Sequence, residues 1–164
     1  MGVPIPDSYV VADSLLAGEY PGAPEPRIAE RRLQAFAAHG VTAFLDLTHP
    51  ADALVPYDDL VAPPARRLAH PIVDLGTTTV PHLTRILDDI DAEHAAGGSV
   101  YLHCWGGIGR TGMVVGCWLV RHGLDDGDPL RAIALLRRGT PAAWAASPQT
   151  AAQRAIVTGW KPRR

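Results

Sequence analysis

The chain is poor in cysteine, in lysine and in long apolar runs, and each shortage closes off a class of protein. Two cysteines in 164 residues, Cys104 and Cys117, are too few for a disulfide scaffold, and they lack the Cys-x-x-Cys spacing of a zinc or redox pair. Such usage suits a reducing compartment, so a cytoplasmic location is expected. The opening MGVPIPDSYV has neither a basic stretch nor an apolar core of signal type, and no apolar run approaches the roughly 18 residues of a membrane helix. No membrane partner is expected. Lys161 is the only lysine, and 15 basic residues stand against 17 acidic ones, a formal net charge of -2. That balance supplies no basic field for a nucleic-acid backbone, and nucleic acid is not expected as a partner. The 7 histidines show neither His-Glu-x-x-His nor clustered spacing, so neither a metal nor any other cofactor is expected.

What is present is enough to fold. With 47% hydrophobic residues, the length fits one domain over 1–164, ending in a short basic tail, Lys161 to Arg164, expected to fray. Ser8 to Gly22 reads as a hairpin turning at Asp13-Ser14. Pro26 suits the first position of a helix ending before Gly40, with Ile28, Leu33, Phe36 and Ala37 on one face. VTAFLDLTH and RRLAHPIVD read as strands around a proline-rich excursion, Pro50 to Pro64. Leu83, Ile86, Leu87 and Ile90 mark an amphipathic helix, SVYLHC a strand, and MVVGCWLV a helix buried on every side. Asp128-Pro129 and Ser147-Pro148 each pair a capping residue with proline, so two further helices are expected to start there. The alternation predicts an α/β fold: a central, mainly parallel (mixed) sheet flanked by helices.

The chemistry concentrates between the strand SVYLH and the buried helix, in His103-Cys104-Trp105-Gly106-Gly107-Ile108-Gly109-Arg110-Thr111-Gly112. Glycines at a strand-loop-helix junction let consecutive N–H groups turn inward as a concave nest, and the helix N-terminus adds partial positive charge. Such a nest holds an anion. Trp105, Gly106, Gly107, Ile108, Gly109 and Arg110 are therefore expected to bind phosphate, Arg110 through a two-pronged guanidinium. Cys104 stands at its base, where the same amides favour the nucleophilic thiolate form of a cysteine. Gly107 to Gly112 also matches Gly-x-Gly-x-x-Gly, but only about 50 residues follow, too few for the remaining sheet of a dinucleotide fold.

His-Cys-x-x-x-x-x-Arg-Thr resembles the signature of the cysteine-dependent protein tyrosine and dual-specificity phosphatases. Two further matches agree: Asp74, thirty residues before Cys104, resembles the general acid, and Gln149-Thr150-Ala151-Ala152-Gln153 resembles the segment that orients the hydrolytic water. The chain start, LLAGEYPG, is similar to the opening strand of small bacterial members. The resemblance implies a metal-independent phosphomonoesterase acting on phosphorylated proteins or peptides through a phosphocysteine intermediate. Its implied catalytic residues are Cys104, Arg110, Asp74, Thr111 and Gln149. Ile72-Val73-Asp74 in place of Trp-Pro-Asp is closer to the dual-specificity branch, and Trp105 and Ile108 stand where phosphoinositide phosphatases place lysines. Two alternatives are a cysteine-loop enzyme of sulfur or arsenate redox chemistry, which needs a resolving thiol, and a phosphate-reading pseudophosphatase.

Bland roles are expected for Cys117 and Asp46, as core and scaffold residues, and His103 is expected to be a hydrogen-bonded scaffold. Asp58 and Asp59 are expected to lie outside the chemistry. Tyr57 is expected to stack on an aromatic substrate ring.

Overall fold

Alternation within three central strands divides the protein into two cores. In β2 (Leu15–Gly18), β3 (Ala43–Asp46) and β5 (Val100–His103), Leu15, Ala17, Ala43, Leu45, Val100 and Leu102 enter one apolar cluster, whereas Leu16, Phe44 and Tyr101 enter the other. Successive side chains of a strand face opposite sides, and both faces of this sheet are covered. The computed structural model describes residues 2–162, so Arg163 and Arg164 of the expected frayed tail lie outside the described residues.

The five strands run in the order β1-β2-β5-β3-β4, with β1 at Ser8–Ala12 and β4 at Arg66–Ala69. β1 and β2 form the antiparallel hairpin, and every other pairing is parallel, giving the expected mixed α/β sheet. Helix α1 (Pro26–Ala38) serves the aromatic core through Leu33 and Phe36. Its buried face is Ala29, Leu33 and Phe36 rather than one including Ile28 and Ala37, because the stripe is turned by about one residue. The larger core is covered by α2 (Val80–Ala95), α3 (Arg110–His122), α4 (Pro129–Leu136) and α5 (Ala151–Gly159). Within α3 every residue from Arg110 to Val120 is buried, as its unbroken apolarity predicts.

Asp128 caps α4 as expected, its side chain accepting from Arg131 N. Ser147-Pro148 does not begin a helix. Thr150 caps α5 instead, accepting from Gln153 N while Gln153 Oε1 reaches back to Thr150 N, and the Ser147 hydroxyl is committed to Ile108 O at 2.6 Å. The excursion from Pro50 to Pro64 holds two single-turn 3-10 segments, Pro50–Asp52 and Asp58–Leu60. Parallel register sets Gly18, His103 and Asp46 level at the C-terminal ends of β2, β5 and β3. Open parallel sheets bind their ligands beyond that edge.

Candidate active site

The loop that leaves β5 is fastened from three directions, which fixes its path before any ligand enters. Tyr20 N donates to Trp105 O at 2.8 Å, Ser147 Oγ to Ile108 O at 2.6 Å, and the His103 ring, through Nδ1, to Cys104 O at 3.1 Å. Gly107 has φ +72°, and a Cβ there would lie 2.6 Å from Glu19 N, so only glycine lets the loop cross so close to the end of β2. Gly109 caps α3 without any side-chain hydrogen bond, leaving the first amides of a 13-residue helix open to an outside acceptor. Cys104, 3% exposed, forms the base of a cavity of about 200 Å³ whose other walls are Asp74, Trp105, Gly106, Ile108, Gly109 and Gln149.

Arg110 is buried at 1% exposure, and its guanidinium is only half engaged. Nη1 donates to Asp52 Oδ2 at 2.7 Å and to Ile72 O at 2.8 Å, whereas buried Nε and Nη2 have no hydrogen-bond partner. Nη2 does approach Asp74 Oδ1 to 3.2 Å, without hydrogen-bond alignment. Leaving a buried donor unpaired costs about 1–3 kcal/mol, and charged groups cost more. Nε and Nη2 form the edge of the guanidinium that matches a two-pronged phosphate or carboxylate, and the Asp74 carboxylate already stands near one of them. The Thr111 hydroxyl, fully buried, is likewise without a partner.

Asp74 stands at the rim with its side chain 49% exposed, its Oδ1 also accepting from Leu75 N at 3.0 Å. The two glutamines of the Gln-Thr-x-x-Gln segment separate in role. Gln153 is buried and saturated: Oε1 accepts from the amides of Gln149 and Thr150, and Nε2 donates to Gly76 O at 3.0 Å, tying α5 to the Asp74 loop. Gln149 is exposed and lines the cavity.

Beneath the loop, His103 is fully buried and bonded on both ring nitrogens. Nδ1 faces a carbonyl and must carry the proton, so Nε2 accepts from the Tyr57 hydroxyl at 2.7 Å. Burial pushes its pKa below the ordinary histidine value against the pull of Asp46, and the neutral tautomer satisfies both bonds. Burial works against the Asp46 carboxylate too. There two bonds from Thr48 and one from the Arg67 guanidinium prevail and hold its pKa below the usual carboxylate range. Tyr57 is 1% exposed and packs edge-on against Tyr20, Phe44 and His103. It cannot stack on a substrate ring, and that expectation is corrected: its bulk and hydroxyl are both consumed beneath the loop.

Cys117 is buried in α3, and burial pushes its thiol pKa up to about 12. Both cysteines are free. Among the described residues, no group of three or more His, Cys, Asp or Glu side chains is placed to hold a metal ion, and no helix is long and apolar enough to cross a membrane.

One contributor was missed in the sequence. Asp52, whose side chain is 4% exposed, sits in the excursion, 58 positions from the arginine it holds. The only local signal was His49-Pro50-Ala51-Asp52, a capping-box pattern with proline at the first position. Asp52 Oδ2 indeed closes that box by accepting from His49 N at 3.1 Å.

Residues 13–160 match the family model described as Swiss Army Knife protein, DSP-PTPase phosphatase domain. Protein 067L of Invertebrate iridescent virus 3, assigned as a tyrosine phosphatase, is 31% identical over 121 residues, which are 68% of this chain and 45% of the viral protein. The chain thus spans under half the length of that relative. Among solved structures, Tk-PTP in its active form superposes with a TM-score of 0.75 at 24% identity, covering 97% of this chain and 99% of the other. Kinase associated phosphatase, bearing a catalytic cysteine-to-serine substitution, gives 0.71 at 19% identity over 92% and 90% of the two chains.

Proposed function

The chain belongs to the DSP-PTPase phosphatase family, and from that premise we propose that it is a cytoplasmic, metal-independent protein phosphatase whose residues 1–164 act as one catalytic unit. The observation that carries the reading is the Arg110 guanidinium at the end of the Cys104 loop: Nη1 is fixed by Asp52 and Ile72, buried Nε makes no hydrogen bond, and Nη2 faces the Asp74 carboxylate at 3.2 Å. Three nonbridging phosphate oxygens would be held by those donors and by the loop and helix amides.

In the first step the Cys104 thiolate attacks phosphorus in line with the ester oxygen. A sulfur–phosphorus bond forms, the phosphorus–oxygen bond breaks, and Asp74 gives its proton to the departing alkoxide or phenoxide. In the second, water positioned by Gln149 attacks phosphorus and yields its proton to Asp74. Inorganic phosphate leaves, and Thr111 Oγ1 hydrogen-bonds the departing sulfur. No step requires a metal. Among protein substrates we expect phosphotyrosine to be preferred, with measurable hydrolysis of phosphoserine and phosphothreonine.

The redox alternative is disfavoured by Cys117, the only other cysteine, whose thiol burial keeps protonated. A pseudophosphatase is disfavoured because Cys104 and Asp74 line one cavity and Arg110 approaches that Asp74 to 3.2 Å. The test is a panel of phosphopeptides and small phosphate esters assayed in EDTA. Wild type should hydrolyse phosphotyrosyl peptides, and Cys104→Ser should bind vanadate without turnover. Rapid cleavage of a nucleotide, sugar or inositol phosphate with inert phosphopeptides contradicts the protein-substrate reading.

A further inference from the structure

Trp105 is 53% exposed, an unusual position for a tryptophan within a loop otherwise tied down by backbone bonds. Trp105 lines two concavities at once. One is the cavity above Cys104; the other, of about 300 Å³, is lined by residues at the end of β2 and in the excursion. Its walls are mainly apolar: Trp105, Ala23, Pro24, Leu54 and Val55, the last 49% exposed. The excursion is pinned at this place by the Tyr20 hydroxyl, which donates to Val55 O at 2.6 Å.

The charges in this second pocket are already spent. Arg32 Nη1 donates to Gly22 O at 2.8 Å and to Tyr20 O at 3.3 Å, and Nη2 pairs with the Glu19 carboxylate. The guanidinium is thus committed to two carbonyls and one carboxylate, and Glu19 neutralises the charge that a second phosphate would need. An apolar pocket whose cation is neutralised selects an uncharged, bulky side chain.

Resting on the phosphatase reading, we propose that this pocket is a specificity subsite, filled by a bulky apolar or aromatic side chain of the substrate within two residues of the phosphorylated one. Trp105 is the residue the two cavities share, bordering the phosphate cavity and the adjoining pocket alike. Because the two cavities share Trp105 as a wall, the occupant is assigned to the same peptide whose phosphate lies over Cys104. An extended chain advances about 3.3 Å per residue, so a residue one or two positions away is the one within reach of the adjoining pocket.

The test uses phosphotyrosyl peptides in which each position from two before to two after the phosphotyrosine is varied among Leu, Phe, Ala, Asp and phosphoserine, with para-nitrophenyl phosphate alongside. Wild type should favour Leu or Phe over Ala and Asp at one position by about tenfold in kcat/KM, the discrimination an apolar pocket gives, and should gain nothing from a second phosphate. Val55→Asp, an exposed substitution, should erase that preference while leaving para-nitrophenyl phosphate hydrolysis unchanged. Ala23→Leu, which fills the pocket, should do the same without adding charge. Wild type that cleaves the small ester yet treats every peptide alike overturns the subsite alone, as does a preference that survives both substitutions. Wild type that cleaves neither ester nor peptide overturns the phosphatase reading and the subsite with it.

Discussion

Asp52 holds Arg110: its Oδ2 accepts from Nη1 at 2.7 Å between two side chains that are 4% and 1% exposed. This bond fixes one prong of the guanidinium and leaves the other edge for the ligand, so Asp52 acts through Arg110 and is a positioning residue. Asp52→Ala should lower kcat/KM by about 10- to 100-fold, the scale of a lost partner to a buried charge. Affinity for vanadate should weaken in parallel, because the fork loses its orientation, and Asp52→Asn, which still offers an oxygen, should recover part of both. Unchanged vanadate affinity in Asp52→Ala contradicts the positioning role.

Asp74 lies 3.2 Å from Arg110 at the cavity rim. As the proton donor to the leaving oxygen, it should matter most for esters that leave poorly. Asp74→Asn should slow those by about 10² to 10³, within the range of general acid-base catalysis, and slow activated aryl phosphates much less. Equal losses across leaving groups of widely different basicity contradict the assignment.

Tyr57 braces His103 from below, and its contribution should appear in stability rather than in substrate recognition. Tyr57→Phe leaves His103 Nε2 buried without its donor and should cost about 1–3 kcal/mol in denaturant unfolding. Tyr57→Ala should cost about 3–5 kcal/mol through the cavity left in the aromatic core. The ratio of phosphotyrosine to phosphoserine cleavage should be unchanged in Tyr57→Phe; a selective loss of phosphotyrosine activity restores the stacking role.

The strand-loop-helix carrying Cys104 and Arg110 was legible because its whole logic is local: consecutive glycines, a cysteine and an arginine within seven residues create the nest wherever the loop is placed. The central strands β2, β3 and β5 were legible for a similar reason, since strands covered on both faces leave short unbroken apolar runs. Contacts between distant segments were not legible. Asp52 and Tyr57 lie in a proline-rich stretch without periodicity, and nothing local reveals that they reach Arg110 and His103. The start of α5 was misplaced because Ser147-Pro148 and Thr150-x-x-Gln153 are both sound capping signals. The choice between them was made by Ile108, whose carbonyl takes the Ser147 hydroxyl. Gln149, which the resemblance assigns to the catalytic residues, is exposed at the cavity, whereas Gln153 is buried beneath it in a role no local signal revealed.

His103 gives the fold a pH dependence of defined sign. Its folded pKa is depressed by burial, so the unfolded chain binds the extra proton first as pH falls. Stability attributable to this ring is complete above the ordinary histidine pKa of about 6.5 and declines as pH drops below it toward the folded value. Urea midpoints measured between pH 8 and 5 should fall on the acid side, and His103→Asn should flatten that decline. A midpoint that rises on acidification through this interval contradicts the neutral buried ring.

The central claim is that phosphate passes through sulfur at Cys104, and trapping that intermediate tests it most directly. Gln149→Ala should slow the water-dependent step, so rapid acid quenching of this variant during turnover of an activated aryl phosphate, followed by peptide mass spectrometry, should find one phosphoryl group on the peptide containing Cys104. None should appear on the peptide containing Cys117, and the signal should vanish in Cys104→Ser together with turnover. A Cys104 peptide that carries no phosphoryl group during turnover, or continued hydrolysis by Cys104→Ser, contradicts the account.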